Sequence, residues 1–151
     1  MSHGMYEYLA FLPASSDFSL ERAIERYASL TFSKYRGGRF IKKNEPVRAE
    51  LATAEGDKEP SGFRVFYGDW AVVAWLDAGE DVLADSREHA TDRDLPAPAD
   101  VIASCSRRLW VCSDVDEPDF DNTELFTDFI DELRERFGAL ILDYVNGGWW
   151  T

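Results

Sequence analysis

The segment FRVFYGDWAVVAWL, residues 63–76, constrains the fold more than any other part of the chain. Two runs rich in β-branched and aromatic residues flank Gly68-Asp69, and glycine suits the first central position of a type II′ hairpin turn. A two-residue turn places Tyr67 opposite Trp70, Val65 opposite Val72 and Phe63 opposite Ala74. One face of the hairpin then carries Phe63, Val65, Tyr67, Trp70 and Val72, and the other carries Arg64, Phe66, Ala71, Val73 and Trp75. A hairpin with one wet face alternates apolar with polar residues, and this one is apolar on both sides. Its second face therefore needs a cover: a helix of the same chain, a second copy, or a partner.

The remaining segments supply strands and helices in an α+β order. YEYLAFLP (6–13) reads as a strand stopped by Pro13, and DFSLERAIERYASL as a helix with Leu20, Ala23, Ile24, Tyr27 and Leu30 on one stripe, capped by Asp17 or Ser19. Strand pieces follow around Phe40 and Val47, then a polar loop at 53–62. EDVLADSREHA (80–90) suits a short acidic helix with Val82 and Leu83 inward, and PADVIASC a brief second one. RRLWVCSD (107–114) reads as a strand, with Leu109 and Val111 opposite in facing to Trp110. TELFTDFIDELRERF (123–137) is the clearest helix, with Leu125, Phe126, Phe129, Ile130, Leu133 and Phe137 inward and Gly138 as its C-terminal stop. ALILDY (139–144) is a last strand, and VNGG after it turns the chain so that Trp149-Trp150 folds back on it. Neighbours on a strand face opposite ways, so one tryptophan is expected in the core and the other away from it. The expected fold is a single α+β domain over 1–151: a mostly antiparallel sheet of about five or six strands with three main helices packed on it.

The chain has a net charge of −13, unevenly spread: +2 over residues 1–50 and −15 over 51–151. Such a field repels nucleic acid and anionic membrane and attracts basic partners. No apolar run approaches the ~20 residues that cross a bilayer, and the start lacks the basic region of a secretory signal, so a cytoplasmic location is expected. Cys105 and Cys112 make neither a disulfide framework nor a zinc set and read as reduced thiols.

Two charged stretches are candidate sites. SDVDEPDFDNTE (113–124) holds six acidic residues, but its spacing fails the calcium-loop pattern: starting at Asp114 puts Pro118 fifth and Leu125 last, and starting at Asp119 puts Ile130 last. No metal or cofactor is expected, and Asp121 or Asn122 is expected to cap the following helix. The acids continue along that helix, giving a candidate docking face of Asp114, Asp116, Glu117, Asp119, Asp128, Asp131, Glu132 and Glu135 for a basic protein partner. Phe66, Trp75 and Trp150 are the candidate apolar anchors, since aromatic side chains dominate binding hot spots. The bland alternative is a merely solvated helix face. KYRGGRFIKK (34–43) is the one basic island, with Lys34, Arg36, Arg39, Lys42 and Lys43 interleaved with Tyr35 and Phe40. It reads either as a lysine-protected edge or as a small-ligand or nucleotide site, although its glycine pair lacks the context of a phosphate-binding loop.

Catalytic motifs are thin. His3 lies near the start and His89 at a helix end, and neither G-x-S-x-G nor H-E-x-x-H occurs. In size, charge and α+β order the chain resembles the immunity proteins that neutralise basic toxins, often nucleases. That resemblance implies a non-catalytic, acidic binding domain and carries over no residues. The competing expectations are a ligand-binding domain or enzyme built on the basic segment, and a homodimer formed through the hairpin's second face or the tryptophan tail.

Overall fold

The computed structural model describes residues 7–113 and 122–151. In chain order the elements are β1 (Glu7–Leu12), α1 (Leu20–Ala28), β2 (Thr31–Arg36), β3 (Arg39–Pro46), β4 (Arg48–Ala52), β5 (Gly62–Tyr67), β6 (Trp70–Ala78), α2 (Glu80–His89), α3 (Ala99–Ala103), β7 (Arg107–Ser113), α4 (Thr123–Phe137) and β8 (Leu140–Asp143). Six strands form one antiparallel sheet in the order β4-β5-β6-β7-β1-β8, and β2 and β3 pair with each other as a separate ribbon. The chain is thus a single α+β domain, with five strands between α1 and α2 where the residue pattern predicts three.

The central hairpin pairs in the expected register, Phe63 with Ala74, Val65 with Val72 and Tyr67 with Trp70. Gly68 takes φ +72°, a left-handed conformation that an L side chain adopts only with strain. The first face of the sheet, with Phe63, Val65, Val72, Leu109 and Val111, meets α1 and α4 in the main core. Tyr27 of α1 is fully buried there, stacked on Phe129 of α4 at 4.8 Å, and its hydroxyl donates to the Phe129 carbonyl at 2.6 Å. All six inward residues of α4 are buried, and Gly138 ends the helix at φ +70°. Ser19 caps α1 by accepting from the Arg22 amide, whereas Asn122 caps α4 by position, without a side-chain bond to the helix. Asp121, the other expected cap, lies outside the described residues.

The second face has a smaller core of Leu9, Phe11, Cys105 and Leu142, with Trp110 and Trp149 against it. Helix α2 contributes to this side: Val82 is buried, and the buried Ser86 hydroxyl contacts the Val82 and Cys105 carbonyls at 2.9 and 2.7 Å. A helix of the same chain therefore supplies part of the cover that the two-faced hairpin demanded. Burial pushes the Cys105 thiol up to about 11, which keeps it protonated and unreactive.

The tail closes the molecule on both sides. Trp149 bridges Leu142, packs 5.5 Å from the Phe11 ring, and donates its indole N–H to Asp92 at 3.0 Å. Trp150 turns to the opposite face, against Tyr8 at 5.3 Å and under the Arg134 guanidinium at 5.7 Å. The pair was expected to send one ring inward and one away; instead each ring reaches a different core, because this sheet is packed on both faces.

Candidate functional site

The acidic face is built by helical spacing. Asp128, Asp131, Glu132 and Glu135 recur at three- and four-residue steps along α4, on the side away from its apolar stripe. Two of them have partners. Glu132 receives Arg26 of α1 in a two-point contact, Nε to Oε2 at 2.8 Å and Nη2 to Oε1 at 3.1 Å. Asp131 lies 3.5 Å from Arg134. Among the described residues no basic side chain pairs with Asp128 or Glu135. Desolvation of the Asp128 carboxyl, together with the like charges of Asp131, Glu124 and Glu132, raises its pKa above the ordinary carboxylate value.

This face runs into the neck of the β2–β3 ribbon. There the Val47 amide donates to the Leu30 carbonyl at 3.1 Å, drawing the two ends of the ribbon together. Leu30, Thr31, Phe32, Val47 and Tyr67 form the apolar side of an open pocket of about 310 Å³, and Asp128, Asp131, Glu132 and Glu135 form the other. Tyr67 is 5% exposed, and among the described residues its hydroxyl has no hydrogen-bond partner. Burial, reinforced by the charges of Asp128 and Glu132, pushes its pKa well above that of a free tyrosine. The phenol is therefore a neutral donor and acceptor that looks onto the carboxylates. Among the described residues no three acidic, cysteine or histidine side chains gather closely enough to hold a metal ion.

The candidate residues do not form one patch. Asp128, Asp131, Glu132 and Glu135 come together on α4, over the first face of the sheet. Phe66 pairs across the hairpin with Ala71, and Trp75 with Gly62 and Trp110, so both half-buried rings point to the second face. They lie on the sheet face opposite to α4, and Phe66 borders an open space with Phe32. Arg48 covers Phe66 at 4.3 Å in a cation–π contact. Trp150 is the one candidate anchor on the α4 side, and it is already packed on Tyr8 and Arg134. Asp114, Asp116, Glu117 and Asp119 lie outside the described residues. The residue pattern places Tyr67 on one hairpin face and Val47 in a strand piece and gives Phe32 no role. The available signal was a tyrosine at the turn end of an inward-facing strand, where its hydroxyl must reach water or a partner.

The basic island is the ribbon itself. Lys34 stands opposite Lys42 and Arg36 opposite Arg39, with a register shift between the two pairs, and Tyr35 pairs with Phe40 with rings 4.1 Å apart. Lys43 lies over Phe40 at 5.2 Å. A second open space, of about 410 Å³, separates this strand from the start of α4 and is lined by Lys34, Arg36, Thr123 and Glu124 among others. The chain matches no protein-family model, and neither a curated protein nor a solved structure shows significant similarity to it.

Proposed function

We propose that this chain is a protein-binding domain that holds a basic partner through the acidic face of α4. The carrying observation is the pocket at the ribbon neck, where four carboxylates border an apolar floor and two of them, Asp128 and Glu135, lack a cation among the described residues. Crowded like charges cost the folded chain free energy, and a basic partner removes that cost as it binds. Apolar floor beside charge gives both attraction at a distance and area to bury on contact. The immunity-type reading, with a basic toxin as the partner, is the specific form that the size and acidity of the chain favour.

A capture experiment from the source cell's lysate tests this. Wild-type protein is expected to retain a basic protein that salt releases, and Asp128→Asn/Asp131→Asn/Glu135→Gln is expected to lose it. Retention by that variant would sink the proposal.

A second reading has its own observation. Like charges placed directly opposite across strands destabilise a ribbon, and Lys34 stands opposite Lys42. An anionic ligand at Lys34, Arg36, Arg39, Lys42 and Lys43 would relieve that repulsion. Binding there would be lost in Arg39→Gln/Lys42→Gln and would survive the α4 substitutions.

A further inference from the structure

We propose that the pocket at the ribbon neck is the seat for a single arginine side chain of the basic partner, a step that rests on the protein-binding reading above. Three observations converge on this chemistry. The first is the unpartnered Tyr67 hydroxyl, held on a ring more than nine-tenths buried in the pocket wall. The ring is buried while its oxygen is not among the closed-off unsatisfied polar atoms, so the hydroxyl opens on the pocket, where a bound donor can reach it. The second is the arrangement of the acids. They stand along one side of the pocket and do not converge tightly enough to hold a metal ion. Acceptors spread in that way suit an extended cation with several donors. Guanidinium has five in a planar fork, where an ammonium is a compact point charge.

The third observation is the aromatic wall. Phe32 and Tyr67 meet edge to face, with centroids 5.6 Å apart and planes at 89°. Both rings are nearly buried, so they make a rigid apolar back to the pocket beside the carboxylates, against which a guanidinium can rest while its edge donates to the acids. Arg26 already fixes Glu132 in place. The incoming side chain is then left Asp128 and Glu135 as charged acceptors and the Tyr67 oxygen as a neutral one. Its aliphatic stem lies along Leu30 and Val47. At about 310 Å³ the pocket is at the lower end of small-molecule sites, which fits one side chain better than a larger ligand.

The test is an NMR titration of amide-labelled protein with N-acetyl-argininamide, and with the lysine and citrulline counterparts as controls. The arginine probe is expected to give saturable shifts at Phe32, Tyr67 and Asp128, on the order of 1 mM in affinity for one charge-assisted contact. Citrulline, which keeps the shape without the charge, is expected to give none, and lysine weaker ones. Tyr67→Phe removes a hydroxyl that bonds no other described residue, so its Tm is expected to hold while the arginine probe binds about tenfold more weakly. Absence of saturable shifts with arginine, equal shifts with citrulline, tighter binding of lysine, or full affinity in Tyr67→Phe would each overturn the proposal. A partner captured by wild type and by Tyr67→Phe alike, but lost from the α4 variant, would overturn this seat while leaving the acidic docking face standing. A partner that survives both variants would end both.

Discussion

A chain that ends on Trp149-Trp150 invites a double-mutant cycle. The rings lie on opposite faces of the sheet and share no side-chain partner: Trp149 touches Phe11, His89 and Asp92, and Trp150 touches Tyr8 and Arg134. Replacing a fully buried tryptophan by alanine costs ~3–5 kcal/mol. Both rings here are half-buried, so each substitution is expected to cost about 2 kcal/mol. At this chain length that lowers Tm by about 4–8 °C. Groups without shared contacts add, so Trp149→Ala/Trp150→Ala is expected to lose about 4 kcal/mol with a coupling below about 0.5 kcal/mol. Urea denaturation gives all four values, provided the slope stays constant across the set. A neutral result for either single variant would mean that its ring is not packed as described. A coupling above about 1 kcal/mol would mean that the two rings share one site, contrary to the two-core arrangement.

Three further outcomes can be checked by thermal or urea unfolding. Gly62→Ala places a Cβ against the Ala74 carbonyl and 2.7 Å from Trp75 Cε3, on a backbone locked by the strand ladder, and is expected to cost about 1–3 kcal/mol; an unchanged Tm would refute the close packing. Tyr27→Phe removes the 2.6 Å bond to the Phe129 carbonyl and is expected to cost about 1 kcal/mol, read as a shift of the urea midpoint at constant slope. For Asp128 the folded pKa is raised, so its ionised form is disfavoured by folding above that pKa and the penalty vanishes below the unfolded value of 3.8. Asp128→Asn is therefore expected to raise Tm at pH 7, with the gain fading as pH falls toward 3.8; a gain that grows on acidification would contradict this.

The legible parts of the molecule were those governed by local pattern. The 63–76 hairpin declared its register through Gly68 and its strand alternation, and α4 declared its buried stripe and its acidic one through helical spacing. The ribbon was less legible. Its exposed strands carry no buried alternation, and the register shifts around Lys34 break the two-residue period that marks a strand. The site was half visible for a similar reason. Spacing along one helix groups Asp128, Asp131, Glu132 and Glu135, but only the tertiary fold shows that α4 lies over the face opposite Phe66 and Trp75. The pattern puts Tyr67 on an apolar hairpin face, and its ring is buried there. What pattern alone does not convey is that the hydroxyl has no partner there and borders the carboxylates of a helix some sixty residues away.

Position-specific cross-linking measures the central claim most directly. A photoreactive benzophenone side chain in place of Thr31, an exposed residue on the pocket rim, reports what approaches the acidic face, and one in place of Asp57, in the exposed loop before β5, reports the rest of the surface. In lysate the Thr31 position is expected to yield an adduct with a basic protein that disappears in high salt, and the Asp57 position is expected to yield none. A basic adduct at Asp57 and not at Thr31, or adducts at Thr31 that ignore salt, would contradict the account.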